Sequence, residues 1–315
     1  MRIRVVTGGV YPLRSTPLNG ANLSRTLFVA ILLTPMQALG AYPEDVTPSE
    51  MVDFLGEPVQ DAKLLGKEYE QLIKELGTVV ANKPMSPAET LGEAGWDFGY
   101  YMQFVFNEAR DRGGDPSPWE RSHQETNPLP YQWIPTFAAR KGLPLSSEVG
   151  FNVGWIGMSN TGVVGGFGRL GLVEGYKPWP DVSVNIGYSG YIGNEELELG
   201  VLDMGVTLGS TWATGNIVGV NSAQISPWAN FTTLRIKSAP NLPTDEDGRC
   251  DICDAIGATT YKGGKIQEEG TVAPLVVPQA NIGFQIVSKN IHTRVSIAWA
   301  PSTIPSLNTG MGMTF

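Results

Sequence analysis

The two cysteines of the chain form a Cys-x-x-Cys motif, Cys250-Asp-Ile-Cys253. This spacing suits a redox site or half of a zinc site. A zinc site needs further ligands, but there is no second cysteine pair, and His123 and His292 are both distant in sequence. In an exported chain, two such cysteines most simply pair with each other. The motif therefore predicts a disulfide that stiffens one loop, and no metal cofactor.

Acidic residues surround this motif, and three of them are Asp245, Asp247 and Asp251. Carboxylate oxygens are the ligands that Ca²⁺ prefers, and Asp-Glu-Asp-Gly is similar to the start of a calcium loop. No Glu follows at the twelfth position, however, so the full calcium-loop spacing is absent. We expect a solvated acidic loop, with weak calcium binding by the three aspartates as the alternative.

The remaining candidate motifs do not specify a nucleotide site or a catalytic site. Residues 166–171 match G-x-G-x-x-G, but the Pro-containing segment that follows would break the helix that a dinucleotide site needs. Ser122 and His123 are adjacent with no evident orienting acid. Ser296 lies four residues from His292, which is roughly 13 Å along a strand. We predict no cofactor and no enzymatic activity.

Composition excludes several classes of protein. The 315 residues are 42% hydrophobic but only 17% charged, and glycine (38) outnumbers Lys+Arg (22). This balance argues against a helical bundle, a coiled coil or a charged disordered chain. The net charge of −9 argues against a basic surface that binds nucleic acid.

The N-terminal residues have the pattern of a secretory signal peptide. Arg25 precedes the apolar run Leu27–Leu33, and small residues follow at Ala38, Gly40 and Ala41. The run is too short for a membrane-spanning helix, which needs about 20 residues. We expect residues 1–40 to be removed by cleavage after Gly40 or Ala41.

From residue 94 onward, apolar residues recur at every second position. In residues 148–155, Val149, Phe151, Val153 and Trp155 alternate with a second face of Glu, Gly and Asn. The same alternation recurs in segments 94–106, 182–189, 202–209, 280–286 and 291–299. A face of small and polar residues suits the inside of a membrane barrel whose apolar face meets lipid. A secreted β-sandwich is the alternative.

These segments predict a single antiparallel transmembrane barrel, an all-β fold, over residues 93–315. The predicted strands are 94–107, 131–141, 147–157, 163–174, 181–192, 197–211, 226–238, 273–287, 290–300 and 306–315. Ten is an even number, as single-chain bacterial barrels require. If residues 255–262 also form a strand, twelve strands remain the alternative count. If the chain ends at the periplasmic face, the long connections 108–130 and 239–272 both lie outside, whereas 212–225 is long for a periplasmic turn.

The last ten residues form the most specific pattern. Leu307, Thr309, Met311, Met313 and the terminal Phe315 occupy alternate positions. This pattern resembles the C-terminal signal of bacterial outer-membrane β-barrel proteins, porins included. The resemblance implies a location in the outer membrane, contact with its lipids, and insertion by the barrel-assembly machinery.

Charged residues on the polar faces are candidates for lining the lumen. Parity assigns six to it: Arg140, Glu148, Arg169, Asp203, Arg294 and Arg235. Mixed signs in a narrow barrel pair with each other and fill it, because buried charges need partners. The alternative is a lining that selects small ions or solutes.

Residues 42–92 differ from the rest of the chain, and we expect them to form a periplasmic segment. Leu64, Leu65, Tyr69, Leu72, Ile73 and Leu76 follow helical spacing within 59–77. Gly77 is the predicted end of this helix, and Pro84 and Pro87 prevent its continuation. The helix would close the barrel mouth, dock on a partner, or simply rest on the rim.

Two functions of different classes remain. One is a narrow porin-like channel for passive diffusion of small solutes or ions. The other is a non-conducting barrel whose loops or N-terminal segment bind another envelope component, such as an adhesion, motility or secretion assembly. Arginines on opposite walls from acids would favour the channel, and cross-paired charges would favour the non-conducting barrel.

Overall fold

The computed structural model describes residues 45–51, 62–106, 117–123, 131–176, 179–217, 220–240, 261–262, 265–266, 274–301 and 303–315. Within them, a 3₁₀ helix at Pro48–Met51 is followed by helix α1 (Ala62–Val80) and by the single-turn helix α2 (Pro118–Arg121). No helix in these ranges is both long enough and apolar enough to cross a membrane.

The rest of the described chain is mostly strand. In chain order the strands are β1 (Trp96–Phe106), β2 (Tyr131–Leu143), β3 (Ser147–Trp155), β4 (Gly162–Val173), β5 (Asp181–Ile192), β6 (Leu197–Gly209), β7 (Trp212–Ile217), β8 (Val220–Pro240), β9 (Tyr261–Lys262), β10 (Lys265–Ile266), β11 (Leu275–Ser288), β12 (Ile291–Trp299) and β13 (Ser306–Thr314). All of the pairings between them are antiparallel.

Ten of these strands close into a barrel, because each of them pairs with two neighbours. β8 pairs with β6 on one side and β11 on the other, and β13 pairs with β1 to complete the ring. The closure reaches the end of the chain, where the backbones of Trp96 and Phe315 exchange hydrogen bonds of 2.9 and 2.8 Å. A closed ring leaves no unpaired strand edge, which is the condition for crossing a lipid bilayer with strands.

The two faces of the wall differ in composition, as the period-two pattern predicts. On β5, Ile186 and Tyr188 are 53% and 60% exposed, whereas Ser183 and Ser189 have no exposed surface. Other large apolar side chains that face outward include Phe98, Tyr100, Phe151, Leu172, Met204, Phe231, Ile282, Ile297 and Met311. An apolar exterior around a polar interior is the arrangement of a transmembrane barrel.

The predicted fold class is confirmed, and the ten predicted strands are the ten strands of the barrel wall. Nine agree with the structure to within two residues at each end. The exception, β8, begins at Val220 and pairs with β7, so the long connection expected at 212–225 is a short hairpin. The prediction of up to twelve strands does not hold for the described residues, since Tyr261–Lys262 pairs with Lys265–Ile266 and not with the wall.

The barrel has two ends, which we name by the chain. The C-terminal rim is the end at which Trp96 pairs with Phe315 and at which the turn 144–146 lies. The distal rim is the opposite end, where β1 stops at Phe106 and β2 begins at Tyr131.

Helix α1 and the residues that join it to β1 lie inside the barrel, whereas residues 45–51 lie at the distal rim. Helix α1 packs against inward side chains close to the distal rim, among them Leu199, Leu234 and Val277. An apolar helix face needs an apolar surface to cover, and the inward apolar residues are near this rim. The expectation that residues 42–92 form a periplasmic segment stays a prediction.

Helix α1 also continues past Gly77, which the sequence predicts as its end. The helix reaches Val80, and a side chain at Gly77 would collide with Ile236 of β8. Glycine is therefore used here to let the helix approach the barrel wall and not to end it.

A charge placed on the outer face should destabilise the barrel. Ile186 is 53% exposed on β5, so Ile186→Arg should lower the free energy of unfolding in lipid vesicles by about 2–4 kcal/mol, the cost of arginine near the bilayer midplane. Leu145→Arg is the control, because Leu145 is 89% exposed in a turn at the C-terminal rim and should tolerate the charge. Equal stabilities for the two variants would contradict the lipid-facing assignment.

Candidate functional site

The distal end of the lumen is filled by helix α1. Four of its side chains are at most 1% exposed: Tyr69, Leu72, Ile73 and Leu76. They pack on inward residues of the wall, which include Val105, Ile134, Leu199, Val201, Leu234, Ile236 and Val277. Burying one large apolar side chain stabilises a fold by roughly 1.5–3 kcal/mol, so the four together contribute on the order of 10 kcal/mol. The helix is therefore an integral part of the folded core.

One polar group on the buried face of α1 is also satisfied. The hydroxyl of Tyr69 donates to Ser238 Oγ at 3.5 Å. A phenol is neutral near pH 7 and therefore able to donate this bond.

The residues that precede α1 are hydrogen-bonded to the distal rim. The carboxylate of Asp45 accepts from the backbone N–H of Asn160 at 2.8 Å, and the backbone N–H of Thr47 donates to Ser122 O at 2.6 Å. Arg121 forms an ion pair with Glu68 of α1 at 2.6 Å. The distal mouth is therefore covered by chain segments that contact one another as well as the wall.

Residues 81–95, which we name the strap, continue from α1 through the lumen to β1. Lys83 lies near the start of the strap and donates to the carbonyls of Thr78 and Val79 at 2.8 and 2.9 Å. Those carbonyls belong to the last turn of α1, where the helix itself supplies no donors. Lys83 therefore joins the helix end to the strap, and it also reaches Gln103 Oε1 of β1 at 3.3 Å.

Polar side chains from several strands hold the strap in place. Asn152 Nδ2 of β3 donates to Asn82 Oδ1 at 2.8 Å, and Asn281 Nδ2 of β11 donates to Pro84 O at 3.1 Å. Arg169 Nη1 of β4 donates to Pro87 O at 2.8 Å. Because these strands lie on different sides of the ring, the strap runs through the lumen and not along one wall.

A belt of charged side chains runs along the inner wall near the C-terminal rim, from β12 through β1, β2 and β3 to β4. Arg140 lies at its centre and donates to Asp97 Oδ2 at 2.8 Å and to Glu148 Oε1 at 3.1 Å. Arg294 binds the same oxygen of Asp97 at 2.6 Å, and Arg169 lies 3.2 Å from Glu148 Oε1. All five side chains are at most 7% exposed. Buried charges are tolerated because each has an opposite charge within bonding distance.

The belt is connected to further groups of the wall. Arg294 donates to the hydroxyl of Tyr101 and, at 2.6 Å, to Gln285 Oε1. His292 Nε2 lies 3.7 Å from Asp97 Oδ2. The sequence did not single out Asp97 or Tyr101, although alternation with the outward Trp96, Phe98 and Tyr100 places both on the inward face.

The structure places the predicted lumen charges in three locations. Arg140, Glu148, Arg169 and Arg294 are in the belt, whereas Asp203 is fully buried on β6 opposite Gly187. A side chain at Gly187 would collide with the Asp203 carboxylate. Arg235 is not in the lumen, because it shares the outward parity of Phe231 on β8.

The other predicted positions are also accounted for. Met311, Met313 and Phe315 project outward and are 64%, 44% and 64% exposed. Cys250 and Cys253 lie outside the described residues, as do Asp245, Asp247 and Asp251 and the signal segment 1–40. Disulfide, calcium site and signal peptide therefore remain predictions.

The candidate catalytic and nucleotide motifs serve as structural elements. Ser122 Oγ donates to Trp119 O at 2.8 Å, and His123 Nδ1 lies 2.6 Å from the same carbonyl. Ser296 of β12 contacts Met85 Sδ of the strap at 3.3 Å. Residues 166–171 lie within β4, so no helix follows the glycines.

Comparison with known proteins returned barrels of similar architecture. The N-terminal barrel domain of Pseudomonas aeruginosa OprF is 9% identical, with 71% of this chain and 99% of that chain covered and a TM-score of 0.28. The KdgM porin is 8% identical, with 70% and 99% covered and a TM-score of 0.30. Omp33 of Acinetobacter baumannii is 12% identical, with 72% and 100% covered and a TM-score of 0.28. No protein-family model matches the chain, and neither does any curated protein.

TM-scores this low do not support a function, so the type of barrel is assigned from the closure and composition of the wall. The ring is closed, its exterior is apolar, and its polar side chains face inward. The chain is a β-barrel of the outer-membrane type. In this barrel the lumen is the candidate functional site, and helix α1, the strap and the charged belt occupy it.

Removing one acid from the belt should leave buried cations without a partner. Asp97→Asn should lower the free energy of unfolding by about 3–5 kcal/mol, since both Arg140 and Arg294 bind this carboxylate. Denaturant titration of the refolded barrel measures the loss. Glu198→Gln, at an exposed position on β6, is the control and should change stability by no more than about 0.5 kcal/mol. Equal effects of the two substitutions would show that the belt does not stabilise the fold.

Proposed function

We propose that this protein is an outer-membrane barrel that is closed to solutes as folded and that acts as a structural and interaction barrel. The observation that supports this proposal most directly is the occupied lumen, in which helix α1 fills the distal end and the strap passes through the remainder. A diffusion channel needs a continuous water-filled path, and a filled interior is what a narrow barrel provides.

The strength of the helix packing supports the same proposal. Burial of Tyr69, Leu72, Ile73 and Leu76 contributes on the order of 10 kcal/mol, which is comparable with the whole free energy of unfolding of many domains. Opening a diffusion path would return these four side chains to water, so their packing opposes it.

The ion pairs of the belt support the same proposal. A lining that selects ions presents its charges to a water-filled path. In this barrel, Arg140 and Arg294 share Asp97, and Arg140 and Arg169 share Glu148. Their charges are largely neutralised by each other, and Arg169 additionally holds the strap.

The distal rim is the surface that we propose for interaction with another envelope component. The two longest connections between wall strands, 107–130 and 241–274, both leave the barrel at this rim. The N-terminal segment is bonded to the same rim through Asp45 and Thr47. At the other end, the outward Met311, Met313 and Phe315 are the proposed signal for the barrel-assembly machinery.

A narrow porin-like channel is the second candidate, and one observation favours it. A cavity of ≈ 70 Å³ lies between the strap and the wall, and Gln103, Arg140, Arg294 and Asn308 are among its lining residues. The cavity is large enough for a few water molecules. Displacement of the strap would join it to the two rims and expose the arginines to a permeating anion.

Single-channel recording in a planar bilayer distinguishes the two functions. The proposal predicts no conductance steps from the refolded full-length barrel, and conductance from a variant that lacks residues 45–92. A mobility shift on heating in an unboiled gel must first show that each preparation is folded, so that silence is not a result of misfolding.

Reproducible conductance steps from the intact barrel would contradict the proposal. If Arg294→Glu then changed the ion selectivity of those steps, the porin-like channel would be the function, since Arg294 lines the cavity. If neither the full-length nor the shortened barrel gave conductance steps, the charged belt would close the lumen without the helix.

A further inference from the structure

We infer that residues 62–95 pass through the lumen of the chain's own barrel, so that residues 45–51, which precede α1, are displayed on the cell surface. The wall contributes ten crossings of the membrane, and the strap adds an eleventh inside the lumen. An odd number of crossings puts the two ends of the described chain on opposite faces.

The contacts of the strap define its path from one rim to the other. Its first residues lie beside the end of α1 at the distal side, where Lys83 binds the helix carbonyls. Its middle is bonded to Arg169 through Pro87 O. At the C-terminal rim, Thr90 N donates to Glu174 Oε1 at 2.8 Å, and Gly142 N donates to Gly95 O at 2.9 Å.

The length of the strap is sufficient for this crossing. A fully extended segment spans about 3.3–3.6 Å per residue, so residues 81–95 can reach roughly 50 Å. The hydrocarbon core of a bilayer is about 30 Å thick. The strap therefore traverses the barrel with slack, which accommodates its bends at Ser86, Ala88 and Glu89.

Residues on the N-terminal side of α1 are tied to the opposite rim. Asp45 accepts from Asn160, which lies in the connection between β3 and β4. Ser49 Oγ donates to Glu196 in the connection between β5 and β6, at 2.8 Å. Both connections are at the distal rim, because β3 and β5 run toward it from the C-terminal rim.

The lengths of the connections orient the barrel in the membrane. At the C-terminal rim the strands are joined by short turns such as 144–146 and 289–290, whereas the longest connections lie at the distal rim. Outer-membrane barrels have short periplasmic turns and longer external loops. The distal rim therefore faces outward, and the segment that precedes α1 faces outward with it.

This topology makes residues 45–51 available to the envelope component that the proposed function invokes, so this consequence rests on that function.

Labelling of single cysteines with a membrane-impermeant maleimide tests the inference. Cys250→Ser and Cys253→Ser provide the background, and the labelled positions are Lys67→Cys, Met158→Cys and Leu145→Cys. Lys67 is exposed on α1, Met158 is 58% exposed at the distal rim, and Leu145 is 89% exposed at the C-terminal rim. Labelling after permeabilisation of the outer membrane is the reference for each position.

The expected result is that Lys67→Cys and Met158→Cys react fully on intact cells, whereas Leu145→Cys reacts only after permeabilisation. The inference is overturned if Lys67→Cys behaves like Leu145→Cys, or if it fails to react even after permeabilisation. Reaction of Leu145→Cys on intact cells, with Met158→Cys protected, would also overturn it, because the barrel would then be inverted. Conductance does not enter this readout, so the inference and the proposed function can fail separately.

Discussion

The interior of this barrel depends on the pairing of charges that the wall turns away from lipid. Ten strands that expose apolar side chains to a bilayer must direct their polar side chains inward, and a narrow lumen cannot hydrate them as bulk water would. Asp97 forms ion pairs with Arg140 and Arg294, and Glu148 forms ion pairs with Arg140 and Arg169. Arg169 also donates a hydrogen bond to Pro87 O, so the strap is bonded to the belt.

Helix α1 and the strap are held in the lumen by two different kinds of interaction. Near the distal rim, α1 buries apolar side chains. Their hydrophobic interactions with the wall are strong in total but not directional. Below it, the strap is held by directional hydrogen bonds from Asn152, Asn281 and Arg169. Lys83 joins the two parts by binding the last carbonyls of the helix. The apolar part accounts for the strength of closure, and the polar part determines the path of the chain.

Much of the wall was predictable because a strand in a membrane barrel follows a local rule. Alternation in β5 or β13 assigns every side chain to lipid or to lumen without knowledge of any partner. The same parity would have found Asp97 between Trp96 and Phe98. Pairing within the belt was not predictable, because the contact between Arg294 and Asp97 depends on strands that are distant in sequence. The strap had no periodic signal, since residues held by single hydrogen bonds from different strands follow no repeat.

Cross-linking of the strap to the wall tests the occupied lumen most directly. A Cβ placed at Gly209 of β6 lies 3.4 Å from the Cβ of Ala88, close to the separation found in disulfides. In a background without Cys250 and Cys253, the pair Ala88→Cys and Gly209→Cys should therefore oxidise to a disulfide in the folded barrel. Pairing Ala88→Cys with Ala298→Cys, at the distal end of β12, should not form one. Failure of the first pair to cross-link in folded protein, with both thiols remaining reactive to maleimide, would contradict the account.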